Sequence, residues 1–381
     1  MHAGTRFVHT ADWQLGMRAG HIPGDSGAGV RRARFEVIER IASVARDADA
    51  DFVVVAGDVF EHHALQRENT QRTFQALRAF QCPVFLLPGN HDPYTPDALY
   101  RTEWWRQECP AGVKVLGRPE PVALDGVTLL PCPLTERHMS DPTAWLQREP
   151  SPGDTVRVAV AHGGVREFLA GRVAPEEMVN DISVNLTERA GLDYLALGDW
   201  HGLGQVNERA WYAGTPEATG FREENPGHVL VVSVERPRAL PKVEPVPVAR
   251  FQWRTLPRLL AAPDDVQSLE NELAAFPAPS TTLLEVVLQG VLDLTRYEHA
   301  VTTLPARFEG VFHHLRWNTR DLHVRLSDND FDALPREGWQ GRMVQRLREG
   351  RVPGADAEAC QRALQQLHRI QLAARFAGGA R

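Results

Sequence analysis

A chain of 381 residues, 43% hydrophobic and 24% charged, has material for two domains or one large one and the balance of an ordinary globular protein. No apolar stretch nears the roughly 18–20 residues of a membrane span, and the first residues lack the basic, apolar and small-residue succession of a signal peptide. Cys82, Cys109, Cys132 and Cys360 form no C-x-x-C pair, which argues against a disulfide framework or structural zinc and predicts a reducing, cytoplasmic setting. The formal net charge of −7 argues against a grip on a polyanion through bulk charge; nucleic acid would require metal ions, a local basic patch or a partner to offset it.

The first apolar run lies in "FVHTADWQLGM" (residues 7–17) and predicts a short strand ending in Asp12, with Gln14 two positions on. Phe35, Ile38, Ile41 and Ala45 then recur at helical spacing. "DFVVVAGD" (51–58) is a buried strand, too short and too β-branched for a helix. Phe74, Leu77 and Phe80 mark the next helix and "CPVFLLPGN" (82–90) the next strand. "VKVLG" (113–117), "VALDGVTLL" (122–130) with its Asp-Gly turn, "VRVAVAHG" (156–163) and "DYLALGD" (193–199) continue the series, and "HVLVVSVE" (228–235) closes it. The alternation predicts an α/β layered domain over 1–235, with sheets covered by helices. "RPRALPKVEPVPV" (236–248) reads as a proline-rich linker or edge segment and places the domain boundary there. Residues 249–330 read as a small α+β capping domain. Residues 331–381 read as helical, with Trp339, Met343 and Leu347 on one face, Leu364, Leu367, Ile370 and Ala374 on another, and "GRVPG" (350–354) between them.

The strand ends carry the chemistry. In order they present Asp12, then Asp58 in "GDVFE", then Asn90, His91 and Asp92 in "GNHD", then His162 in "AHGG", then Asp199 and His201 in "GDWHG". In helix-covered sheets, ligands bind at the carboxyl ends of strands, and flanking glycines let the backbone turn a polar side chain into a cleft. Each residue alone is readable as a turn or helix cap; together, in this order, they read as a ligand set. Asp12, Gln14, Asp58, Asn90, His162, Asp199 and His201, with one carboxylate shared, suit two divalent metal ions clamping a phosphoryl group.

That order resembles the calcineurin-like metallophosphoesterases, whose fold is a β-sandwich flanked by helices. The wording "HTADW", "AGDVF", "GNHD" and "YAGTPEATGF" is similar to that of the SbcD-type DNA repair exonucleases. The resemblance runs from Phe7 to about Phe221. It implies one ion on Asp12, position 14, Asp58 and His201, and another on Asp58, Asn90, His162 and position 199, with Asp58 bridging. It implies that His91 is catalytic, close to the scissile phosphate, with Asp92 placed to orient it. It also implies DNA as substrate, an SbcC-type SMC-like ATPase as partner bound by a C-terminal helical segment, and homodimerisation through the phosphoesterase domain.

Two positions depart from the family pattern, which has histidine at both. Gln14 offers a weak neutral oxygen, and Asp199 adds a charge and a second hard oxygen. The set moves from two formal negative charges to three, which favours manganese, with magnesium the alternative, over zinc. The opposing reading is a vacant Gln14 site and a scaffold without nuclease activity, for which His9, His62 and His63 stand as reserve ligands. Beside the first motif, Arg18, Arg31, Arg32 and Arg34 are candidate phosphate contacts. Trp104 and Trp105, between Arg101 and Arg106, are candidates for base stacking, with core packing as the competing reading. A DNA nuclease, another phosphodiesterase or phosphatase of the superfamily, and a non-catalytic DNA-binding subunit are the three functions these features allow.

Overall fold

The computed structural model describes residues 4–149, 153–174, 176, 178–325 and 337–354, with isolated positions as far as 370. The chain divides into two units, Met1–Trp253 and Arg254–Arg381.

The first unit is built on two six-stranded sheets. One comprises β1 (Thr5–Thr10), β2 (Phe52–Val55), β3 (Val84–Leu86), β4 (Val113–Val115), β11 (His228–Val234) and β12 (Lys242–Pro247), in the order β12-β11-β1-β2-β3-β4. The other comprises β5 (Val122–Leu124), β6 (Val127–Cys132), β7 (Val156–His162), β8 (Tyr194–Gly198), β9 (Gly204–Asn207) and β10 (Ala210–Tyr212), in the order β5-β6-β7-β8-β10-β9. β1, β2, β3 and β4 are mutually parallel, as are β6, β7, β8 and β10. Their carboxyl ends therefore gather on common edges.

β2, β3, β7 and β8 are buried on both faces, which is why the sequence shows continuous apolar runs there instead of alternation. Phe7, Phe52, Val54 and Phe85 point between the sheets to meet Leu129, Val158, Val160 and Tyr194. Their neighbours Val8, Val53, Val55 and Leu86 point outward onto α1 (Gly24–Asp47) and α2 (Arg67–Leu77), through Val37, Ile38, Ile41, Phe74 and Leu77. The second sheet's outer residues, Leu130, Ala159, Ala161 and Leu195, pack under Ile182 and Leu186. Trp105, in α3 (Glu103–Glu108), is buried in the core and Trp104 packs partly buried beside it, so the core reading holds for that pair.

Of the two readings of the proline-rich stretch, linker or edge segment, the structure bears out the edge. Lys242–Pro247 pairs antiparallel with β11 as the outermost strand of its sheet. Prolines lack the N–H for a central ladder but are tolerated on an edge. The first unit accordingly extends to Trp253 and contains the whole of 236–248.

The boundary falls within β13 (Gln252–Leu260), which forms a three-stranded sheet with β14 (Thr282–Asp293) and β15 (His314–Arg325), β14 being central and parallel to β15. The helix Asp265–Ala274 lends Val266, Leu269 and Leu273 to a core with Leu284, Val286, Leu288, Leu304 and Phe308. The helix Gly338–Arg348 buries Val344 and Leu347 against Cys360 and Leu364. This differs from the expected apolar face: Trp339 is 68% and Met343 43% exposed. The stripe at 344 and 347 is the one that finds a partner; Leu364 and Leu367 join it and Ile370 does not. Phe331 and Ala374 lie outside the described residues.

Candidate metal centre

Three loops at strand ends are stitched together by backbone hydrogen bonds. After β1, the N–H groups of Asp12, Gln14 and Leu15 donate to the carbonyls of Gly57 (3.1 Å), Asp58 (2.8 Å) and Val59 (2.9 Å) in the loop after β2. After β3, the His91 N–H donates to Asp58 Oδ1 at 2.9 Å. Asp12, Gln14, Asp58 and Asp199 all have positive φ, at 52°, 43°, 50° and 104°. Non-glycine residues in that region are uncommon and concentrate at functional sites, where surrounding contacts hold them. Two glycines permit the close approach. A Cβ on Gly57 would lie 2.0 Å from His162 Nδ1, and one on Gly89 would lie 2.2 Å from Asp58 Oδ1.

The result is a buried cluster. Donor atoms of Asp12, Asp58 and His162 all lie within 4.8 Å of one another. His162 Nδ1 faces the carbonyl of Ala56 at 2.8 Å and so carries the ring proton. Burial holds this histidine below its ordinary pKa, so Nε2 presents a bare lone pair. That lone pair faces Asn90 Oδ1 at 3.1 Å, Asp58 Oδ1 at 3.4 Å and Asp199 Oδ1 at 3.6 Å. The four groups converge, with the Asn90 amide nitrogen 3.5 Å from Asp199 Oδ1. Ligand atoms about 2.0–2.2 Å from an ion are spaced about 3.0–3.6 Å apart in octahedral or tetrahedral sets. The residues present therefore fit a divalent cation.

The carboxylates agree. Burial, reinforced by Asp58 and Asp199 against the pull of His201, raises Asp12 well above the usual carboxylate range. Burial lifts Asp58 to about 6 against the opposing charge of His91, and raises Asp199 against that of His162. Carboxyls crowded in this way are the groups a cation neutralises.

The other side of the centre is arranged differently. His201 Nδ1 meets Glu223 Oε1 at 2.8 Å, and Nε2 meets the Gln14 side-chain nitrogen at 3.0 Å. Burial opposes charge on His201, but Glu223 and Asp12 outweigh it and lift the ring to about 9. Glu223 is itself anchored by the Thr219 N–H at 2.9 Å. A histidine that donates to a carboxylate behind it has its ring fixed for ligation. The sequence reading missed Glu223: it lies in the polar run "FREEN" with nothing local to distinguish it from Glu224.

The structure brings together Asp12, Gln14, Asp58, Asn90, His91, His162, Asp199 and His201. His91 stands at the rim, 32% exposed, with Nδ1 held by the carbonyl of Glu61 at 3.2 Å and Nε2 3.9 Å from Asp58 Oδ2. Asp92 does not orient it. Its carboxylate accepts from the N–H groups of Gly89 (2.8 Å) and Phe60 (3.0 Å) and from the Tyr100 hydroxyl. It clamps the loops after β2 and β3, and Glu61 takes the role expected of it.

Arg34 is also corrected. It is 1% exposed, and its guanidinium donates to the Trp13 and Glu217 carbonyls at 2.7 and 2.9 Å. Position 34 falls on the α1 stripe with Ile38, Ile41 and Ala45, all of them buried, so it points inward. Arg18, Arg31 and Arg32 lie outside that stripe. Arg31 and Arg32, with Arg72 of α2, line a groove of about 640 Å³ beside Gly16 and Met17. His9 is buried with both ring nitrogens engaged, by Tyr194 Oη and the Leu197 carbonyl. Both nitrogens of His63 face Pro93 and Leu99 backbone atoms. Neither is a reserve ligand. His62 Nδ1 is buried without a partner among the described residues.

Comparisons with known proteins agree with this geometry. The chain is 28% identical over 236 residues to the DNA double-strand break repair protein Mre11 of Haloferax volcanii, covering 60% of this chain and 49% of that one. It is 24% identical over 246 residues to the protein of the same name from Methanosarcina acetivorans, covering 60% of this chain and 36% of the relative. It is 27% identical over 126 residues to the SbcD component of the SbcCD nuclease of Bacillus subtilis, covering 32% and 30%. The matched region thus spans half or less of the length of these relatives. The calcineurin-like phosphoesterase profile matches residues 5–203, more than half of the chain and all the converging ligands, and the chain belongs to that family.

Proposed function

We propose that this protein is a metal-dependent phosphodiesterase that hydrolyses DNA, as an exonuclease or endonuclease in repair, with an SMC-like ATPase of the SbcC type as its partner. The observation that carries the reading is the convergence of His162 Nε2, Asn90, Asp58 and Asp199 at the strand ends within 3.1–3.6 Å, with His91 at the open rim.

Asp12, Gln14, Asp58 and His201 would hold one ion, and Asp58, Asn90, His162 and Asp199 the other. Bound divalent ions supply charge neutralisation and water activation for in-line attack on phosphorus. The chain's own residues do the rest. Asp58 accepts the His91 N–H and so fixes where the histidine stands. Glu61 orients the ring through its carbonyl, leaving Nε2 as the atom that meets the phosphate. In the charged ring, Nε2–H donates to a phosphoryl oxygen or the leaving group. The carboxylate-rich set supports manganese, with magnesium the alternative. Arg18, Arg31 and Arg32 would track the DNA backbone. The exposed Trp339 and Met343 of the helix Gly338–Arg348 support its use as the ATPase-docking arm.

The test is cleavage of labelled linear DNA with manganese, magnesium, zinc or no metal, beside His91→Ala. Manganese-dependent cleavage that the substitution removes, with metal binding retained, is the expected result. Loss of bound metal in His91→Ala would overturn the role given to His91. Absence of cleavage with every metal, with the ATPase present, would favour the scaffold reading.

A further inference from the structure

β6 runs parallel to β7, and β7 to β8, so the loop after β6 emerges on the edge where His162 and Asp199 lie. It supplies none of the proposed ligands, yet it is bound to two segments that do. On one side is the loop after β3. The Leu134 N–H donates to the Pro88 carbonyl at 3.4 Å, the Tyr94 N–H donates to the Leu134 carbonyl at 2.7 Å, and Arg137 Nε donates to the Asn90 carbonyl at 3.3 Å. On the other side is the segment after β7. The Asn180 side chain accepts from the Met139 N–H at 2.6 Å and donates to the Arg137 carbonyl at 3.3 Å. Asn180 is buried, with a φ of 53°, and lies against Gly163, where a Cβ would come 2.0 Å from the Asn180 carbonyl oxygen. Arg137 is therefore held between Asn90 and the chain that follows His162, the two ligands whose side chains meet at 3.1 Å.

The side chain is nonetheless exposed. Nε is the committed nitrogen; among the described residues neither Nη group has a hydrogen-bond or ion-pair partner. Holding the loop does not require a guanidinium, because Leu134 and Asn180 already do so. A guanidinium tied at Nε keeps its Nη groups as a fixed fork, the geometry that takes two oxygens of one phosphate. Tying it beforehand also removes much of the side-chain entropy that such a contact costs. Arg18, Arg31 and Arg32 differ in this respect, since none of them is anchored to a ligand residue.

We propose that Arg137 is a substrate-binding residue of the centre: its Nη groups take the non-bridging oxygens of a DNA phosphate at the rim beside Asn90 and His162. This rests on the phosphodiesterase reading above. Asn90 then places two groups against the substrate, His91 as its neighbour in the chain and Arg137 through its carbonyl. The acidic ligand set repels a polyanion, and a fixed cation at its rim offsets that repulsion where the strand must enter.

The experiment compares the wild-type protein with Arg137→Ala and Arg137→Lys, after thermal melts and manganese titrations show all of them folded and equally loaded. One readout is steady-state cleavage of labelled linear DNA in manganese. The other is fluorescence anisotropy of a fluorescein-labelled DNA across a salt series, with His91→Ala added to each protein so that the DNA stays intact. Arg137→Ala should lower kcat/KM by about 10–100-fold, the worth of a charge-assisted pair, and reduce the salt slope of binding by about one phosphate contact. Arg137→Lys should restore the slope but only part of kcat/KM, because an ammonium has no fork. A slope unchanged in Arg137→Ala would overturn the inference whether or not cleavage falls, and would make the residue a loop strap. A reduced slope with unchanged cleavage would overturn its place at the centre. Either result leaves the proposed function standing if the wild-type protein cleaves. If it cleaves with no metal, that function fails by itself, and the slope still decides whether Arg137 holds a phosphate.

Discussion

Replacing Arg34 with methionine separates a structural role from a DNA contact. The arginine lies in the apolar stripe of α1, and its guanidinium ties Trp13, between the metal-centre residues Asp12 and Gln14, to Glu217 in the segment leading to Glu223. Methionine keeps most of the volume but leaves the buried Trp13 carbonyl without a donor, at about 1–3 kcal/mol, while the Glu217 carbonyl keeps the Thr215 hydroxyl at 2.6 Å. Relief from burying a guanidinium, whose Nε has no partner among the described residues, returns part of this. A net loss of about 1–2 kcal/mol follows, or a melting temperature lower by about 2–8 °C for a unit of this size. Urea denaturation of the metal-free protein measures the loss, and DNA binding across a salt series measures the alternative. A variant within about 0.5 kcal/mol of wild type, with a salt slope reduced by about one phosphate contact, would refute the buried role.

Asp58→Asn should abolish metal binding yet stabilise the metal-free protein at neutral pH. Asp58 has its folded pKa raised from 3.8 to about 6, so the folded state binds more protons than the unfolded one between those values. Its destabilising contribution is absent below pH 3.8, grows as pH rises to about 6 and is constant above that. Denaturation midpoints in chelator at pH 4 and pH 7 should therefore differ less in the variant than in the wild type; an unchanged difference would show that Asp58 is not strained. Asp92→Asn should cost about 1–3 kcal/mol, because an amide cannot accept from both Gly89 and Phe60 as the carboxylate does. Lower turnover with unchanged stability would instead restore Asp92 as the group that orients His91. Removing residues 331–381 should abolish capture by the ATPase in a pull-down while leaving manganese binding intact; retained capture would end the docking-arm proposal.

Much of the centre was legible along the chain. A strand buried on both faces must be an apolar run, so the polar residue that ends it stands out, as Asp12, Asp58, Asn90, His162 and Asp199 do. Parallel strands then carry those ends to common edges, so their meeting follows from topology. What the linear order did not contain was direction and partnership. Arg34 sits among arginines of the same helix that stay off its buried stripe, and only the docking of α1 on its sheet turned that one inward. Asp92 follows His91 directly, but Gly89 of its own loop took Oδ1, and Phe60 of the β2 loop together with Tyr100 took Oδ2. Glu223 lies 22 residues from His201 and is joined to it only by the fold. The proline-rich stretch left linker and edge open in the sequence, and pairing with β11 decided for the edge. Periodicity records which residues must leave water; the choice of which polar atoms then satisfy one another depends on distances of about 3 Å between segments far apart in sequence, and only tertiary packing sets those.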